Sequence, residues 1–266
     1  MNKKISVLMG IYNCETSLAD SILSIINQTY TNWEFIICDD GSSDNSYSIA
    51  KKFSDYDNRI ILIKNDKNMG LNYTLNNCLK YASGEFIARQ DGDDISHPER
   101  FEKQVKFLEN NPNFEIVSTP MIFFDENGDW GKSSVITQPT AEAVVTGSPI
   151  CHAPVMMYKY CMDAVNGYTV NKKMLRVEDV NLWIKLYAKG YRCFNLNEYL
   201  YKMRNDQNAL NRRKYKYRIN STYTRLLGCK QLNLGLKSYI LSFKPMILGL
   251  IPSKLRKIIK RKISKF

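Results

Sequence analysis

After Asp206 the chain contains no acidic residue, and this shortage locates its charge. Sixteen Lys and Arg follow, from Arg212 to Lys265, so residues 1–206 hold the other 22 basic residues and all 26 acidic ones, a net of −4. The formal charge of +12 therefore belongs to a basic tail on a mildly acidic body. Cysteine is sparse and unpatterned: seven residues, an odd number, with no C-x-x-C, several inside apolar runs such as FIICDD. That excludes a disulfide frame or zinc site and suits buried thiols in a reducing compartment. No uncharged apolar run is long enough to span a bilayer. The start, MNKKISVLMGIY, reads as a first strand rather than a signal peptide, so a cytoplasmic location is expected. Neither G-x-x-x-x-G-K-[ST] nor G-x-G-x-x-G occurs, so a bound nucleotide has to be held by carboxylates and a metal.

What is present can build a core. Of 266 residues 44% are apolar, with 13 glycines and 8 prolines. Strands and helices alternate: ISVLM (5–9), a helix over 18–28, EFIIC (34–38), then a helix through Ile49 and Phe53 that Ser43 or Asp44 can cap. RIILIK (59–64), a helix over 71–82, EFIAR (85–89) and a helix with Pro98 in its first turn follow. This alternation predicts a doubly wound, mostly parallel α/β sheet. Beyond it the spacing predicts a strand at 115–119, a hairpin turning at Asn127-Gly128, a strand over 150–158 and a helix over 177–190 that ends at Gly190. From about Arg212 the chain is basic and helical in tendency, broken at Pro245 and Pro252.

Ligands of open parallel sheets bind beyond the carboxyl ends of the strands. Four polar signals fall there: Gly10-Ile11-Tyr12-Asn13, Asp39-Asp40-Gly41, Asn68-Met69-Gly70 and Asp91-Gly92-Asp93-Asp94. A D-x-D after an apolar strand suits Mn²⁺ or Mg²⁺ that also holds phosphate oxygens. The plainer alternative is a solvated acidic turn with Asp94 as a helix cap. Gly92 would let the backbone approach a ligand. Asp40 suits either a base edge or the cap of the following turn.

Taken together, SVLMGIYNCETSLADSILSIINQTY, FIICDDGSSD, NMGL, EFIARQDGDD with Pro98-Glu99-Arg100, and VEDVNLWIKL resemble the family 2 glycosyltransferases of the glycosyltransferase-A fold. The resemblance covers about residues 3–205. It implies a catalytic domain over 1–205, a nucleoside pocket lined by Ile11, Tyr12, Asp40 and Glu15, with Asn68 and Gly70 beside it, and Asp91 and Gly92 at the ribose or diphosphate. It implies Asp93 as the metal ligand, Asp179 of the Glu178-Asp179 pair as catalytic base, and a UDP-sugar rather than a guanosine or thymidine donor.

An acceptor hydroxyl needs a base, and direct displacement inverts the anomeric centre. Glu178 and Asp179 also fit simple acidic bias in a helix's first turn. His152 suits a satisfied core histidine or a contact to acceptor or diphosphate; His97 suits a loop. Arg204 suits phosphate or an exposed acid. The processive synthases' Q-x-x-R-W is absent, which favours one sugar per encounter.

The tail, 206–266, ends in GLKSYILSFKPMILGLIPSKLRKIIKRKISKF. Apolar residues interleave its charges, as in an amphipathic segment on an anionic membrane surface. That favours peripheral attachment at the inner face of the membrane beside a lipid-linked saccharide acceptor in surface-polysaccharide assembly, over a solvated terminus or nucleic-acid binding. Two other classes are weighed: a sugar-nucleotide pyrophosphorylase, which would need a glycine-rich triphosphate loop where residues 7–16 have none, and a non-catalytic adaptor, which would leave the strand-end clusters without purpose.

Overall fold

Successive residues of ISVLMGI face opposite sides of a strand, and both sides are apolar, as the middle of a doubly covered sheet requires. In the computed structural model, which describes residues 3–205 and 215–250, this run is β1 (Ile5–Ile11). It pairs in parallel with β2 (Trp33–Asp39) and β4 (Phe86–Arg89), and β3 (Ile60–Lys64) lies parallel beyond β2. On the other side β9 (Met156–Tyr158) runs antiparallel between β4 and β6 (Ile116–Ser118), and β10 (Cys193–Asn195) closes that edge parallel to β6. The order β10-β6-β9-β4-β1-β2-β3 makes a seven-stranded, mostly parallel, doubly wound sheet, as expected.

Helices cover both faces. Ile5, Val7, Met9 and Ile11 meet Leu18 and Ile22 of α1 (Leu18–Ile26), Ala50 of α2 (Ser46–Tyr56) and Phe101 and Leu108 of α4 (Arg100–Asn110). Leu8 joins the opposite core with Leu75 of α3 (Leu71–Leu79), Val145 of α5 (Ala141–Thr146), Met162 of α6 (Lys159–Ala164) and Trp183 of α7 (Glu178–Ala188). A second sheet, β5 (Ile95–Ser96), β11 (Tyr201–Arg204), β7 (Ile122–Asp125) and β8 (Gly128–Lys132), brings β11 beside the acidic loop.

Several boundaries differ from expectation, each for a local reason. The strand expected over 150–158 is only Met156–Tyr158, because Pro154 offers no N–H and Val155 N–H turns back to His152 O at 3.4 Å. The hairpin turns at Glu126-Asn127: Asp125 pairs with Gly128, and Asp125 Oδ1 accepts from Asn127 N–H at 2.9 Å. Asn45, not Ser43 or Asp44, occupies the N-cap of α2, while Asp44 accepts from Ser46 N–H one step inside at 3.0 Å. Pro98 precedes α4, whose N-cap is Glu99.

The chain then forms α8 (Tyr215–Gln231), α9 (Leu236–Leu241) and α10 (Lys244–Leu250). Pro245 does not break a helix; it lies in the first turn of α10, where its missing N–H costs nothing. Arg212 and Pro252 lie outside the described residues, as does 251–266 of the expected amphipathic segment. α8 lies on α7: a Cβ at Gly228 would sit 2.5 Å from Ile184 Cδ1, and Cys229 is buried in the same core.

Candidate active site

The loops after β1 and β2 are zipped together by short polar side chains. Asn13 N–H donates to Ser42 Oγ (3.1 Å), Cys14 N–H to Ser46 Oγ (2.8 Å) and Glu15 N–H to Asp44 Oδ2 (3.1 Å). Glu15 Oε2 in turn accepts from Asn45 N–H and Nδ2 at 2.9 Å, which commits it to the start of α2. Asp40 Oδ1 accepts from Asn65 Nδ2 and Met69 N–H, and Oδ2 from Gly70 N–H, all at 2.8 Å. Asp40 thus shapes the Asn68-Met69-Gly70 turn, where Gly70 has φ +86°, and one acceptor position of its four remains. Gly41, at φ +74°, lies so near that turn that a Cβ would meet Lys67 C at 2.9 Å. Ile11 is buried beneath this rim, whereas Tyr12 is 50% exposed on it.

The exit of β4 is braced from behind. Ser21 Oγ donates to Asp91 O (2.7 Å) and Ser17 Oγ to Gly92 O (3.2 Å). Arg100, fully buried, donates to Arg89 O, Val155 O, Ser96 Oγ, Gln90 Oε1 and Gln104 Oε1, with burial lowering its pKa to about 10. Gly92 also packs closely against the β1 loop: a Cβ there would lie 3.1 Å from Cys14 Sγ and 3.2 Å from Ile11 Cγ2. Asp94 is not a helix cap. It is buried, and its Oδ1 accepts Arg204 N–H at 2.8 Å, tying the acidic loop to β11. Arg204 is the last residue of β11, and its guanidinium stacks 4.7 Å from the Phe124 ring.

Arg89 is the group that sequence reasoning passed over. It is buried, and its Nη2 donates to Asp91 Oδ1 at 2.5 Å. Burial works against its charge, but Asp91 foremost, with Tyr168, Tyr201 and Glu178, holds its pKa above the ordinary value. An arginine ending a wholly apolar strand two residues before an aspartate, on the same side of the chain, was the available signal.

Glu178 and Asp179 open α7, half-buried. Burial raises both carboxyls above their usual range; for Glu178 the Asp179 charge adds to this, and for Asp179 the Val180 N–H at 2.8 Å opposes it. His152 Nε2 pairs with Tyr168 OH at 2.9 Å, and the ring meets Trp183 edge-on at 5.5 Å. Burial and then Arg89 push its pKa well down, so His152 is neutral. His97 is exposed in its loop.

Among the described residues no three His, Cys, Asp or Glu converge to cage a metal. A Mn²⁺ or Mg²⁺ shared with a diphosphate needs only one or two carboxylates. The loop fits that demand: Asp93 is half-buried, and Asp94 Oδ2 is buried without a partner. Burial, then Asp91 and Asp93, push the Asp94 carboxyl well above the carboxylate range, a repulsion that a divalent cation relieves.

Residues 6–163 match the family described as Glycosyl transferase family 2. The chain belongs to that family. It is 43% identical over 251 residues to the putative glycosyltransferase EpsE of Bacillus subtilis, covering 94% of this chain and 90% of that one. It is 32% identical to WfgD of Escherichia coli, a UDP-Glc:alpha-D-GlcNAc-diphosphoundecaprenol beta-1,3-glucosyltransferase, over 80% of this chain and 81% of that one. Among solved structures, the mannosyltransferase PcManGT of Pyrobaculum calidifontis, in complex with GDP-Man and Mn²⁺, superimposes with a TM-score of 0.65 at 16% identity, covering 98% of this chain and 80% of that one. The glycosyltransferase-A fold is thereby established. The family match ends before Glu178, so the four strand-end clusters lie within it and the acidic pair beyond it.

Asp94 generates a pH-dependent expectation. Its folded pKa is raised, so its contribution is fully present only below the unfolded value of about 3.9 and is lost as pH rises through the folded pKa. Without metal, Asp94→Asn should melt at or above the parent at pH about 8, and the parent should regain ground towards pH about 5. Parallel melting curves for the two across that range would show that Asp94 carries no such penalty.

Proposed function

We propose that this glycosyltransferase adds a single sugar, with inversion, from a UDP-sugar to a hydroxyl of a lipid-linked saccharide during cell-surface polysaccharide synthesis. The observation that carries the proposal is Arg89, which ion-pairs Asp91 at the donor side and lies within electrostatic reach of Glu178. One buried cation links the D-x-D loop to the acidic pair of α7. A carboxylate whose pKa is lifted by burial is a better-matched base at neutral pH than a solvated one.

In this scheme Ile11, Tyr12, Asp40, Asn68 and Gly70 form the nucleoside side, with the exposed Tyr12 ring covering the base and Glu15 holding the loop. Asp91 and the Gly92 backbone face the ribose and diphosphate, and Asp93 would hold Mn²⁺ or Mg²⁺. The metal, when bound, acts as a Lewis acid on the departing diphosphate. Asp179 takes the acceptor hydroxyl proton as the oxygen attacks the anomeric carbon, so an α-linked donor yields a β-glycoside. Glu178 keeps that proton's destination polar, and neutral His152 holds Tyr168 behind the pair. Arg204 steadies the acidic loop through Asp94. The donor nucleotide and lipid-linked acceptor are taken from what WfgD acts on, and the metal from what PcManGT binds.

Attachment to an anionic membrane surface is part of the proposal. No helix among the described residues is long and apolar enough to cross a membrane. Instead α9 and α10 expose Leu236 (77%), Ile240 (64%), Ile247 (63%) and Leu250 (74%) beside Lys237 and Lys244. An enzyme held this way at the inner face would meet its acceptor in two dimensions. Cutting the chain at 228 is a poor probe, since Cys229, Ser238 and Ser242 are buried.

Three measurements test these assignments. Calorimetry on Asp93→Ala should show Mn²⁺-dependent UDP uptake reduced by at least about tenfold, as expected when a metal loses its ligand; unchanged uptake removes Asp93 from the metal site. Asp179→Asn should bind UDP and Mn²⁺ like the parent yet lose transfer by about 10²- to 10⁴-fold, and full activity would exclude it as the base. Ile240→Ser with Ile247→Ser should weaken partitioning onto phosphatidylglycerol vesicles by about tenfold or more, whereas equal partitioning would rule that surface out.

A further inference from the structure

Helix α8 lies beyond every strand-end motif, yet one of its side chains is buried next to the acidic pair of α7. Arg225 is 6% exposed. Its Nη1 donates to Val145 O, its Nη2 to Gly147 O at 2.8 Å and its Nε to Ser221 Oγ at 3.2 Å, which anchors the guanidinium at the carboxyl end of α5. The same helix grips the segment that leads into α7. Asn220 Nδ2 donates to Leu175 O (3.2 Å) and Lys172 O (3.5 Å), Thr224 Oγ1 to Met174 Sδ (3.4 Å), and Lys173 lies 5.0 Å over the Tyr223 ring. Gly228 allows this closeness one turn further on, against Ile184. Every turn from Asn220 to Gly228 therefore fixes something on α7, on α5 or on the loop before Glu178.

We propose that Arg225 is a positioning residue for the transfer reaction: by tying α8 to the carboxyl end of α5 it places a buried guanidinium where α5, α7 and α8 pack together and holds the first turn of α7, with Asp179, in place. The proposal rests on Asp179 being the base. Charged and titratable groups face Asp179 from each neighbouring element: Arg225 from α8, Arg89 from β4, Tyr168 from the loop after α6, and Glu178 on α7 itself, with Arg176 next to Glu178. Burial raises the Asp179 carboxyl; the Val180 N–H, then Arg225, then Arg89 pull it back. The effect is mutual, since burial lowers the Arg225 pKa and Asp179 opposes that. A base works only when ionised, so loss of Arg225 raises its pKa and moves the acid limb of kcat to higher pH. Lysine could supply the charge but could not reach both carbonyls at once.

The test uses the full chain with Mn²⁺, following UDP release from UDP-glucose and UDP-N-acetylglucosamine between about pH 5 and 9. Arg225→Gln should move the acid limb of kcat up by about one pH unit, a tenfold loss of rate below the limb, with donor KM within about twofold. Arg225→Lys should keep the limb where the parent has it. A folded Arg225→Gln with an unmoved limb overturns the proposal, as does a shift of about one pH unit in Arg225→Lys; should the glutamine variant not fold, Arg225→Met takes its place under the same criterion. Asp179→Asn runs in parallel. If it abolishes turnover while Arg225→Gln leaves the limb unmoved, only the role of Arg225 falls. If it keeps full activity, the base assignment falls and takes this proposal with it.

Discussion

Arg89 closes a fully buried strand and is itself buried, an arrangement that costs several kcal/mol unless a counter-charge meets it. Asp91 meets it at 2.5 Å. That pair sits among Asp93, Asp94, Glu178 and Asp179, so the patch holds more carboxylates than buried cations even when Arg100 and Arg225 are included. Burial first, and then this surplus of neighbouring negative charge, raises Asp94 and Glu178, a cost that a cation at the acidic loop would relieve.

An unbalanced cluster stays in place only if its backbone is held by groups outside the cluster. Ser17, Ser21 and Gln90 do this from α1 and β4, and Arg100 does it from α4 with five neutral acceptors and no carboxylate. Each bond to a buried partner is worth about 1 kcal/mol net, or more where a charge is involved. Their sum is spent on geometry, since none of these side chains reaches the surface of the site. The Pro98-Glu99-Arg100 run thus belongs to the scaffold of the acidic loop rather than to its chemistry.

The strand-end half of this arrangement was legible in the sequence because strands end abruptly. Ile11, Asp39, Lys64 and Arg89 close continuous apolar runs, and polar residues crowd the next positions. What escaped has long-range causes. Nothing near Asp94 announces that Arg204, 110 positions later, donates to it. The closeness of Gly92 to Cys14 and Ile11, on another loop, is likewise invisible in the sequence. The apolar run before Met156 reads as strand, but two prolines and a turn at His152 end the pairing early. Arg225 sits in a run that reads as surface charge, and only the docking of α8 buries it.

The division of labour along the chain has a physical basis. Residues 6–163, which match the family, hold all four strand-end clusters. The acidic pair lies outside that span and depends on α8 for its surroundings. Arg176, two residues before Glu178, adopts φ +63°, a left-handed conformation that costs about 1–2 kcal/mol for a side chain of this kind. That strain persists because Asn220 and Thr224 fix Leu175 and Met174 on one side while the first turn of α7 fixes the other. Lys172, Lys173 and Arg176 together with Leu175 are exposed immediately ahead of the pair, so the surface beside Asp179 carries positive charge and an apolar side chain. The strand-end clusters are thus built from the sheet, while the surroundings of the acidic pair are completed by α8.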